Sequence, residues 1–381
     1  MELYLHIPFC VRKCGYCDFL SFSAKEQTRG AYVDALIREI RRTGEAVETA
    51  PVTSVFVGGG TPTVLEPGQL ERIFRALSGS FPIRPGAEIS VEANPGTVDM
   101  EKLERLRSCG VNRLSIGCQA VDDRLLKQLG RIHDSAAFFS CFEMAREACF
   151  SNINVDLISA IPGQRPEDWR KTLRDIASLS PEHISAYSLI LEEGTPFFEQ
   201  RDSLDLPGED EEREMYEETH EILERYGYRQ YEISNYARPG FSCQHNIGYW
   251  TGVPYVGMGL GASSYLSETR FHNTGLMQEY LAFFGKDRAE GPDFLRWSIH
   301  RDLEVLSEND RRAEFVILGL RMTEGVRKSA FAEKFGTGIE DVFGEVIRRH
   351  VSDGLLAEEG DRIFLTRRGL SLANVVMRDF L

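Results

Sequence analysis

The sequence predicts an α/β protein whose first half alternates between strands and helices. Short apolar runs of strand length alternate with segments that repeat apolar residues at helical spacing, as Tyr32, Leu36 and Ile40 do. Glycine or polar residues directly follow several of the strands, as at Gly58 and Glu92. Such βα repeats give a parallel sheet, either closed as a βα barrel or open and doubly wound. The residues that follow the strands then gather at one edge of that sheet.

The elements of this first half are predicted in chain order from their apolar periodicity. The strands comprise residues 2–7, 54–57, 88–92, 113–117, 154–159 and 183–189. The helices comprise residues 31–43, 69–77, 100–108, 123–129, 136–148 and 166–179. The strands are apolar enough to be buried on both faces, which is typical of a parallel sheet.

The second half is less regular and ends in a small unit of its own. Residues 207–226 predict a long acidic helix with a solvated face, or alternatively a docking surface for a basic partner, while 228–236 are β-like and 257–265 form a glycine-rich strand or turn. From residue 310, helices 311–321, 328–334 and 339–353 precede a hairpin of strands 355–358 and 363–365, and helix 370–380 follows. This order predicts a winged-helix-like α+β domain. We therefore divide the chain into a barrel at 1–240, a connecting segment at 241–309 and a C-terminal domain at 310–381.

Composition excludes several classes of protein. The 381 residues are 42% hydrophobic and 27% charged, which is typical of globular domains. The formal net charge of −15 argues against binding nucleic acid or an anionic membrane, because both require a basic surface. No apolar run approaches the ~20 residues of a membrane span, and the first residues lack the basic region of a signal peptide. Eight cysteines without a secretory signal suit a reducing cytoplasm.

Three cysteines lie close together directly after the first strand. Cys10, Cys14 and Cys17 have the spacing C-x3-C-x2-C. Three thiolates on one loop can ligate three irons of a 4Fe–4S cluster and leave the fourth iron open for another ligand. A zinc site would usually carry a second Cys or His pair, yet the next cysteine is Cys109. A disulfide is the other alternative and does not suit a chain without a secretory signal.

The flanking residues carry a family resemblance. The segment Tyr-x-His-x-Pro-Phe-Cys-x3-Cys-x2-Cys, from Tyr4 to Cys17, resembles the radical S-adenosylmethionine (SAM) superfamily, and more narrowly its oxygen-independent coproporphyrinogen oxidase group. The resemblance covers nearly the whole chain. It implies a partial (βα)6 TIM-type barrel in which the open iron binds the amino and carboxylate groups of SAM. An electron from the cluster then cleaves SAM to methionine and a 5′-deoxyadenosyl radical.

The same resemblance implies a set of SAM-binding residues at the strand ends. A glycine-rich turn lets the backbone approach a ligand, and a charged residue at the end of an apolar strand is costly unless it is paired or bound to a ligand. Each of these residues taken alone fits a turn or a structural salt bridge equally well. Together they match the order and spacing of the family's set: Tyr4, Gly59, Gly60, Thr61, Glu92, Gln119, Arg131 and Asp156.

Two features distinguish this chain from the oxidase proper. The oxidase has a further cysteine two residues after the third one, where this chain has Phe19. This chain also begins almost at its first strand, without the oxidase's N-terminal extension. In addition, the run His-Asn-Ile-Gly-Tyr-Trp, from His245 to Trp250, matches the H-N-x-x-Y-W pattern of the family's haem chaperone branch.

Haem binding by this run is chemically reasonable. Histidine is a common axial ligand of haem iron, and Tyr249 and Trp250 offer flat aromatic faces to a macrocycle. The alternative is a core histidine beside two packed aromatic residues. Cys243, two residues before His245, is a weaker candidate ligand.

The sequence therefore predicts a cytoplasmic haem chaperone with a SAM-ligated 4Fe–4S cluster. The resemblance implies that it delivers haem to acceptor haemoproteins, often membrane-bound respiratory enzymes. The first alternative is an enzyme that oxidatively decarboxylates coproporphyrinogen III, and the second is another radical SAM enzyme, such as a methylase. The sequence leaves the oligomeric state open, a homodimer included.

Overall fold

The structure, a computed structural model, describes residues 1–47, 50–285 and 293–381. Its strands are β1 Glu2–Ile7, β2 Val52–Gly59, β3 Ile83–Ala93, β4 Arg113–Gln119, β5 Ile153–Ser159, β6 His183–Ser188, β7 Arg229–Gln230, β8 Asn235–Ala237, β9 Tyr255–Met258, β10 Ser263–Leu266, β11 Thr269–Asn273, β12 His300–Val305, β13 Val326–Arg327, β14 Leu356–Glu359 and β15 Arg362–Leu365. Its helices are α1 Glu26–Ala46, α2 Pro67–Ser80, α3 Met100–Ser108, α4 Asp123–Gln128, α5 Ser135–Glu147, α6 Pro166–Ser178, α7 Pro196–Glu199, α8 Glu209–Arg225, α9 Gln244–Trp250, α10 Met277–Phe284, α11 Glu308–Gly319, α12 Lys328–Phe335, α13 Ile339–Ser352, α14 Arg367–Ser371 and α15 Ala373–Arg378.

A large mixed sheet forms the body of the molecule. Strands β1 to β6 run parallel in that order, and the helices between them return the chain to the same end of the sheet. Beyond β1, β9 pairs in parallel and leads to the antiparallel β10, β11 and β12, while β8 and β7 extend the sheet beyond β6. The prediction of a partial parallel barrel is confirmed, because neighbouring strands continue the sheet on both sides of β1 to β6.

The strands separate an apolar outer layer from a polar interior. In β4, Leu114 and Ile116 belong to the hydrophobic core. Arg113 and Ser115 alternate with them and line an interior cavity. The same alternation in β5 places Asp156 in the cavity, since successive strand residues point to opposite faces. The two-residue period thus directs the polar side chains of several strands toward one another.

The stretch 241–309 contributes four strands to this sheet. β10 and β11 form a hairpin whose turn residues, Ser267 and Glu268, have φ values of 50° and 60°. Such a turn is normally signalled by asparagine or glycine, and neither residue is present at Ser267 and Glu268, so this hairpin could not be predicted. The strands β11 and β12 and the helices α9 and α10 were not predicted. The domain limits at 240 and 310 remain predictions.

Several predicted elements differ from the structure at their boundaries. The β-like stretch 228–236 is two short strands, β7 and β8, and the final helix 370–380 is divided into α14 and α15 at Leu372. The acidic helix is α8, Glu209–Arg225, and its buried face includes Met215 and Leu223. The glycine-rich stretch 257–265 is the end of β9, a turn and the start of β10. Helix α1 and strand β3 each begin about five residues before their predicted starts, and the remaining predicted helices and strands agree with the structure to within about three residues.

The C-terminal unit has its own hydrophobic core. That core includes Val316, Phe331, Ile347 and Phe380 from α11, α12, α13 and the end of the chain. Beneath these helices lies the small sheet β13-β15-β14. None of the described helices combines the length and the apolar character needed to cross a membrane.

Candidate functional site

The cysteine loop leaves the carboxyl end of β1 and is closed at its neck. The amide of Cys10 donates to the carbonyl of Phe22 at 3.1 Å, and the amide of Phe22 donates to the carbonyl of Pro8 at 2.9 Å. The buried ring of Phe9 packs edge-on against Phe22 and Tyr32. The rigid neck therefore presents a loop on which Cys10, Cys14 and Cys17 are free and partly exposed.

Two polar residues from neighbouring loops reach these thiols: Thr61, which follows β2, and Arg131, which follows α4. The Thr61 hydroxyl lies 3.6 Å from the Cys10 Sγ, and a guanidinium nitrogen of Arg131 lies 3.8 Å from the Cys14 Sγ. Burial raises the pKa of the Cys17 thiol, and the neighbouring Lys13 opposes that shift. Cations beside thiols favour the thiolate, which is the form that ligates iron.

The loop does not form a site for a single metal ion. Within residues 1–47, 50–285 and 293–381, no three His, Cys, Asp or Glu side chains converge to hold one ion. Ligands to three different irons of a cluster do not have to converge on one point. Arg12 and Lys13, which the sequence places beside the thiols, donate hydrogen bonds to the carbonyls of Gly130 and Phe19 respectively and so hold the loop.

Arg131, predicted at a strand end, instead lies in the loop between α4 and α5, and it connects to the cysteine loop through hydrogen bonds. Arg131 donates to the side-chain oxygen of Asn94 and, at 3.2 Å, to the carbonyl of Gly117. Asn94 in turn donates to the Thr61 hydroxyl at 2.7 Å. The Nε atom of Arg131 is buried and has no hydrogen-bond partner among the described residues. Arg131 and Thr61 are thus brought to the cysteines by Asn94, a residue that no sequence pattern indicated.

The glycine turn after β2 lets a carboxylate approach the backbone. Gly59 has a φ of 106°, and its amide donates to Glu92 Oε2 at 3.0 Å. A Cβ on Gly60 would lie 2.7 Å from the carbonyl oxygen of Phe9, which only glycine avoids. Gln119, at the end of β4, is buried and has a φ of 68°. These residues therefore lie together at the carboxyl end of the strands, as predicted.

Two half-buried carboxylates, Glu92 and Asp156, face the interior cavity of about 210 Å³, which Tyr4 also lines. Burial, with a smaller contribution from Asp156, raises the pKa of Glu92 to about 8. Burial likewise raises the pKa of Asp156, although Ser115 and Asn154 each donate a hydrogen bond to it at 2.8 Å. Arg113 lines the same cavity and opposes both pKa shifts, but burial outweighs it for each carboxyl group, so this end of the site suits a further positively charged ligand.

His245 lies on the same cavity but is fully engaged. Its ring is 1% exposed and stacks on Phe56 with the centroids 5.2 Å apart. Nδ1 is hydrogen-bonded to the Ser54 hydroxyl at 2.8 Å and Nε2 to the Tyr249 hydroxyl at 2.9 Å. Burial lowers the pKa of His245 to about 3, so the imidazole is neutral. This geometry is that of the core histidine which the sequence left as an alternative, and haem ligation by Nε2 requires Tyr249 to move.

The other candidates near this motif differ in exposure. Cys243 is fully buried beside Glu88, and burial raises the pKa of its thiol to about 12, which disfavours the thiolate. Trp250 lies under the guanidinium of Arg321, 4.2 Å from its ring centroid. Phe19, at the position of the oxidase's additional cysteine, is 61% exposed on the cysteine loop.

This combination of a parallel βα sheet, a cysteine loop after its first strand and polar strand ends defines the radical SAM class of protein. The family model of the Radical SAM superfamily matches residues 4–176, and that of the HemN C-terminal domain matches residues 306–372. A heme chaperone HemW from Bacillus subtilis (strain 168) is 37% identical, and the alignment covers 99% of this chain and 98% of that protein. The heme chaperone HemW from Escherichia coli (strain K12) is 33% identical over 100% of this chain and 98% of that protein.

Solved structures agree with this relationship. Coproporphyrinogen III oxidase (HemN) from Escherichia coli, described as a radical SAM enzyme, superposes with a TM-score of 0.85 at 26% identity. The superposition covers 100% of this chain and 89% of that one. The chain belongs to the radical SAM superfamily and, within it, to the family of the heme chaperones HemW. Membership of that superfamily implies a 4Fe–4S cluster and SAM as cofactors.

Proposed function

We propose that this protein is a haem chaperone, which binds haem and passes it to acceptor haemoproteins. The observation that carries the proposal is similarity over the full chain to proteins named heme chaperone HemW from several bacteria. Two local features support it: Phe19 stands where the oxidase has a fourth cysteine, and the run from His245 to Trp250 matches the haem chaperone branch.

We assign the two cofactors to two neighbouring parts of one site, which we call the strand-edge site. One part is the cysteine loop with Arg131, and the other is the interior cavity with Glu92 and Asp156. Cys10, Cys14 and Cys17 would hold the cluster, because they are free thiols on an anchored loop with Arg131 beside them. The free Nε of Arg131 supports this assignment, since a buried donor without a partner is suited to an anionic ligand. Bound together, the cluster and SAM supply one-electron reductive cleavage of SAM.

The carboxylates of the site would bind the cationic part of SAM. Burial raises the pKa of Glu92 to about 8 and also raises the pKa of Asp156, so it shifts both groups toward the uncharged form. The sulfonium and ammonium groups of SAM would favour the charged form of both carboxylates. Tyr4 lines the same cavity, and its phenol would be neutral there because burial raises its pKa. Gly59, Gly60, Thr61 and Gln119 complete the proposed set.

For haem we assign His245 as the axial ligand. Its imidazole is neutral, as ligation requires, and Tyr249 is the group that covers Nε2. Ligation therefore involves a change of the Tyr249 side chain.

The second candidate function is oxidative decarboxylation of coproporphyrinogen III. The extensive structural likeness to coproporphyrinogen III oxidase favours it. The exposed Phe19 in place of a cysteine disfavours it. No particular side chain of the described site favours another radical SAM reaction, such as methylation.

We further propose a cytoplasmic location and membrane-bound respiratory haemoproteins as acceptors. Cys109, Cys141, Cys149 and the other described cysteines are free thiols, which supports a reducing compartment. The proposal that the acceptors are membrane-bound respiratory haemoproteins depends on the family resemblance alone. A homodimer stays a prediction, and analytical ultracentrifugation of the reconstituted protein decides it.

One experiment separates these functions. Protein reconstituted without oxygen is titrated with haem, mixed with an acceptor apo-haemoprotein, and assayed in parallel with coproporphyrinogen III, SAM and a reductant. We expect roughly one haem per chain, followed through the Soret band, transfer to the acceptor and no decarboxylation. SAM-dependent loss of two carboxyl groups from coproporphyrinogen III would establish the oxidase instead. Absence of both haem binding and turnover would leave another radical SAM reaction.

A further inference from the structure

A second, larger cleft lies between the motif helix α9 and the C-terminal unit. Its volume is about 670 Å³, within the range of roughly 300–1,000 Å³ of small-molecule sites. Tyr249 and Trp250 line it from α9, and Phe315 and Leu318 line it from α11. Met322 adds a further apolar side chain. The cleft is thus bounded by flat aromatic and aliphatic surfaces from two parts of the fold.

The indole of Trp250 marks the cleft as a place for a planar ligand. Arg321 lies over the ring, 4.2 Å from its centroid, and helps to fix the plane of the indole. The indole Nε1–H is buried and has no hydrogen-bond partner among the described residues. A buried donor without a partner in a cleft wall is unfavourable unless a ligand or water accepts from it.

The charges of the cleft leave two cations without a carboxylate. Arg270 pairs with Glu314 at 2.8 Å and Arg362 pairs with Glu324 at 2.9 Å, while Arg311 pairs with Glu268. In the described part of the chain, Arg327 and Lys334 form no ion pair, and both line the cleft. Asp361 interacts electrostatically with Arg327 but lies beyond ion-pair distance.

Lys334 is held among aromatic rings and next to a like charge. Its ammonium lies 5.4 Å from the Phe315 centroid and 5.7 Å from the Phe335 centroid. Burial and then the neighbouring Arg311 lower the pKa of Lys334, while Glu314 opposes that shift. An anionic group in the cleft would therefore relieve repulsion between the two cations.

We infer, on the basis of the proposed function, that this cleft is the docking site of haem. The macrocycle lies against Tyr249, Trp250 and Phe315, and the two propionates pair with Arg327 and Lys334. Haem combines a flat apolar ring with two carboxylates, and the cleft combines aromatic walls with two cations that lack carboxylate partners.

Tyr249 connects this docking site to the predicted axial ligand. The residue lines both the cleft and the interior cavity, and its hydroxyl is hydrogen-bonded to His245 Nε2 at 2.9 Å. Rotation of the Tyr249 side chain away from His245 would open Nε2 toward the cleft. Docking and ligation are thus separate steps, since the first needs no movement of His245.

The inference is tested with the double variant Arg327→Glu/Lys334→Glu in the full-length reconstituted protein. Both residues are exposed, so far-UV circular dichroism should match the wild type. We expect haem affinity to fall by on the order of tenfold to a hundredfold, because two charge-assisted contacts become repulsive. The affinity for haem dimethyl ester, which lacks both carboxylates, should change by less than about threefold, because the ester offers no charge to repel. Arg348→Glu, an exposed position of α13 outside the cleft, is the matched control and should bind haem like the wild type.

The outcomes separate this inference from the proposed function. A wild-type chain that binds no haem overturns both. Wild-type haem affinity in the double variant, with haem still bound by the wild type, overturns the cleft assignment and leaves the chaperone standing. Equal losses for haem and its dimethyl ester also contradict propionate pairing.

Discussion

At the scale of single residues, the half-buried carboxylates of the strand-edge site are the most informative groups. Glu92 and Asp156 lie in a cavity whose described walls offer Arg113 as the cation. Burial is the first cause of the raised pKa of each carboxylate. They are therefore suited to a cationic ligand and unfavourable without one.

The Glu92→Gln variant tests this reasoning through pH. The folded-state pKa of Glu92, about 8, exceeds its unfolded value of 4.5, so the folded protein binds more protons than the unfolded one between these values. The free energy of unfolding of the protein without SAM should accordingly fall as pH rises from 4.5 to 8. The contribution of one group is at most about 1.4 kcal/mol per pH unit.

The measurement is urea unfolding of wild type and Glu92→Gln across that pH range. The difference between the two curves isolates Glu92 from Glu2, whose pKa burial also raises to about 8. Glu92→Gln should also weaken SAM binding by on the order of tenfold, since it removes a charge from the cation site. If the unfolding free energies of wild type and Glu92→Gln change with pH in parallel, and the affinity for SAM is unchanged, the assignment of Glu92 to the cation site is refuted.

His245 provides a second prediction at this scale. His245→Ala should shift the Soret band or weaken haem binding, because it removes the axial ligand. Tyr249→Phe should instead speed ligation, because it removes the hydroxyl that occupies Nε2. His300→Ala is the control, since His300 is also buried but lies among Phe271, Phe294 and Trp297. Identical spectra for His245→Ala and wild type would show that another residue ligates the iron.

At the scale of elements, the cysteine loop is held by the barrel rather than by its own sequence. Gly15 donates to the carbonyl of Leu129 at 3.3 Å, and Phe197 donates to the carbonyl of Gly15 at 3.0 Å. A Cβ on Gly15 would lie 2.7 Å from the Phe197 ring, so glycine is required there. The neighbouring elements thus fix where the three thiols can meet a cluster.

Replacement of Cys10, Cys14 or Cys17 by Ala should lower iron from about four per chain to nearly none. Iron and sulfide are measured after reconstitution without oxygen. Cys149→Ala is the matched control, because Cys149 is an exposed free thiol at the end of α5 and should not affect the iron content. A triple variant that keeps its full cluster, or tight zinc in the wild type, would rule out the cluster.

The acidic helix α8 is attached to α6 through one indole and one guanidinium. Trp169 is fully buried and donates to the carbonyl of Met215 at 3.1 Å and to the Thr219 hydroxyl at 2.9 Å. Arg170 pairs with Glu218 at 2.7 Å and with Glu214. The remaining acidic residues of α8 point mostly to solvent, which agrees with the prediction of a solvated face.

Trp169→Phe should therefore lower the free energy of unfolding by about 1–3 kcal/mol, because buried acceptors lose their donor. Urea titration measures it. Glu217→Gln, an exposed change on the same helix, should stay within about 0.5 kcal/mol of wild type. A larger effect of Glu217→Gln would mean that the acidic face stabilises the fold through contacts beyond those described.

At the scale of the whole molecule, the pairing of β9 with β1 connects the strand-edge site to the cleft between α9 and the C-terminal unit. It places the end of α9 and the glycine-rich stretch beside the strand that leads into the cysteine loop. Gly257 is close to the backbone of Ser263, where a Cβ would clash. The cluster loop, the interior cavity and the cleft are therefore parts of one sheet-based framework.

Cofactor binding should stabilise this framework as a unit. SAM at a hundredfold excess over its dissociation constant should add about 2.7 kcal/mol to the stability of the cluster-loaded protein, since it binds only the folded state. Differential scanning fluorimetry under nitrogen measures the shift in melting temperature. Cys14→Ala should abolish the shift, and a full shift in that variant would place SAM away from the cluster loop.

The α/β class, the six βα repeats and the cysteine loop could all be predicted from the amino-acid sequence. These depend on local patterns: a period of two or 3.6 residues and the spacing of Cys10, Cys14 and Cys17. The sequence also predicted that Glu92 ends a strand, and Glu92 is the next-to-last residue of β3, whereas Asp156 lies in the middle of β5 and faces the cavity because strand residues alternate between the two faces.

The contacts between distant segments could not be predicted and are seen only in the folded protein. The tertiary structure placed Asn94 between Thr61 and Arg131, and it buried His245 beside Ser54, 191 residues away in the sequence. The physical reason is that burial and hydrogen-bond partners arise from packing between distant segments, which no local pattern encodes. The hairpin around Ser267 and Glu268 escaped prediction for a related reason, since pairing across the sheet holds a positive-φ turn that lacks glycine.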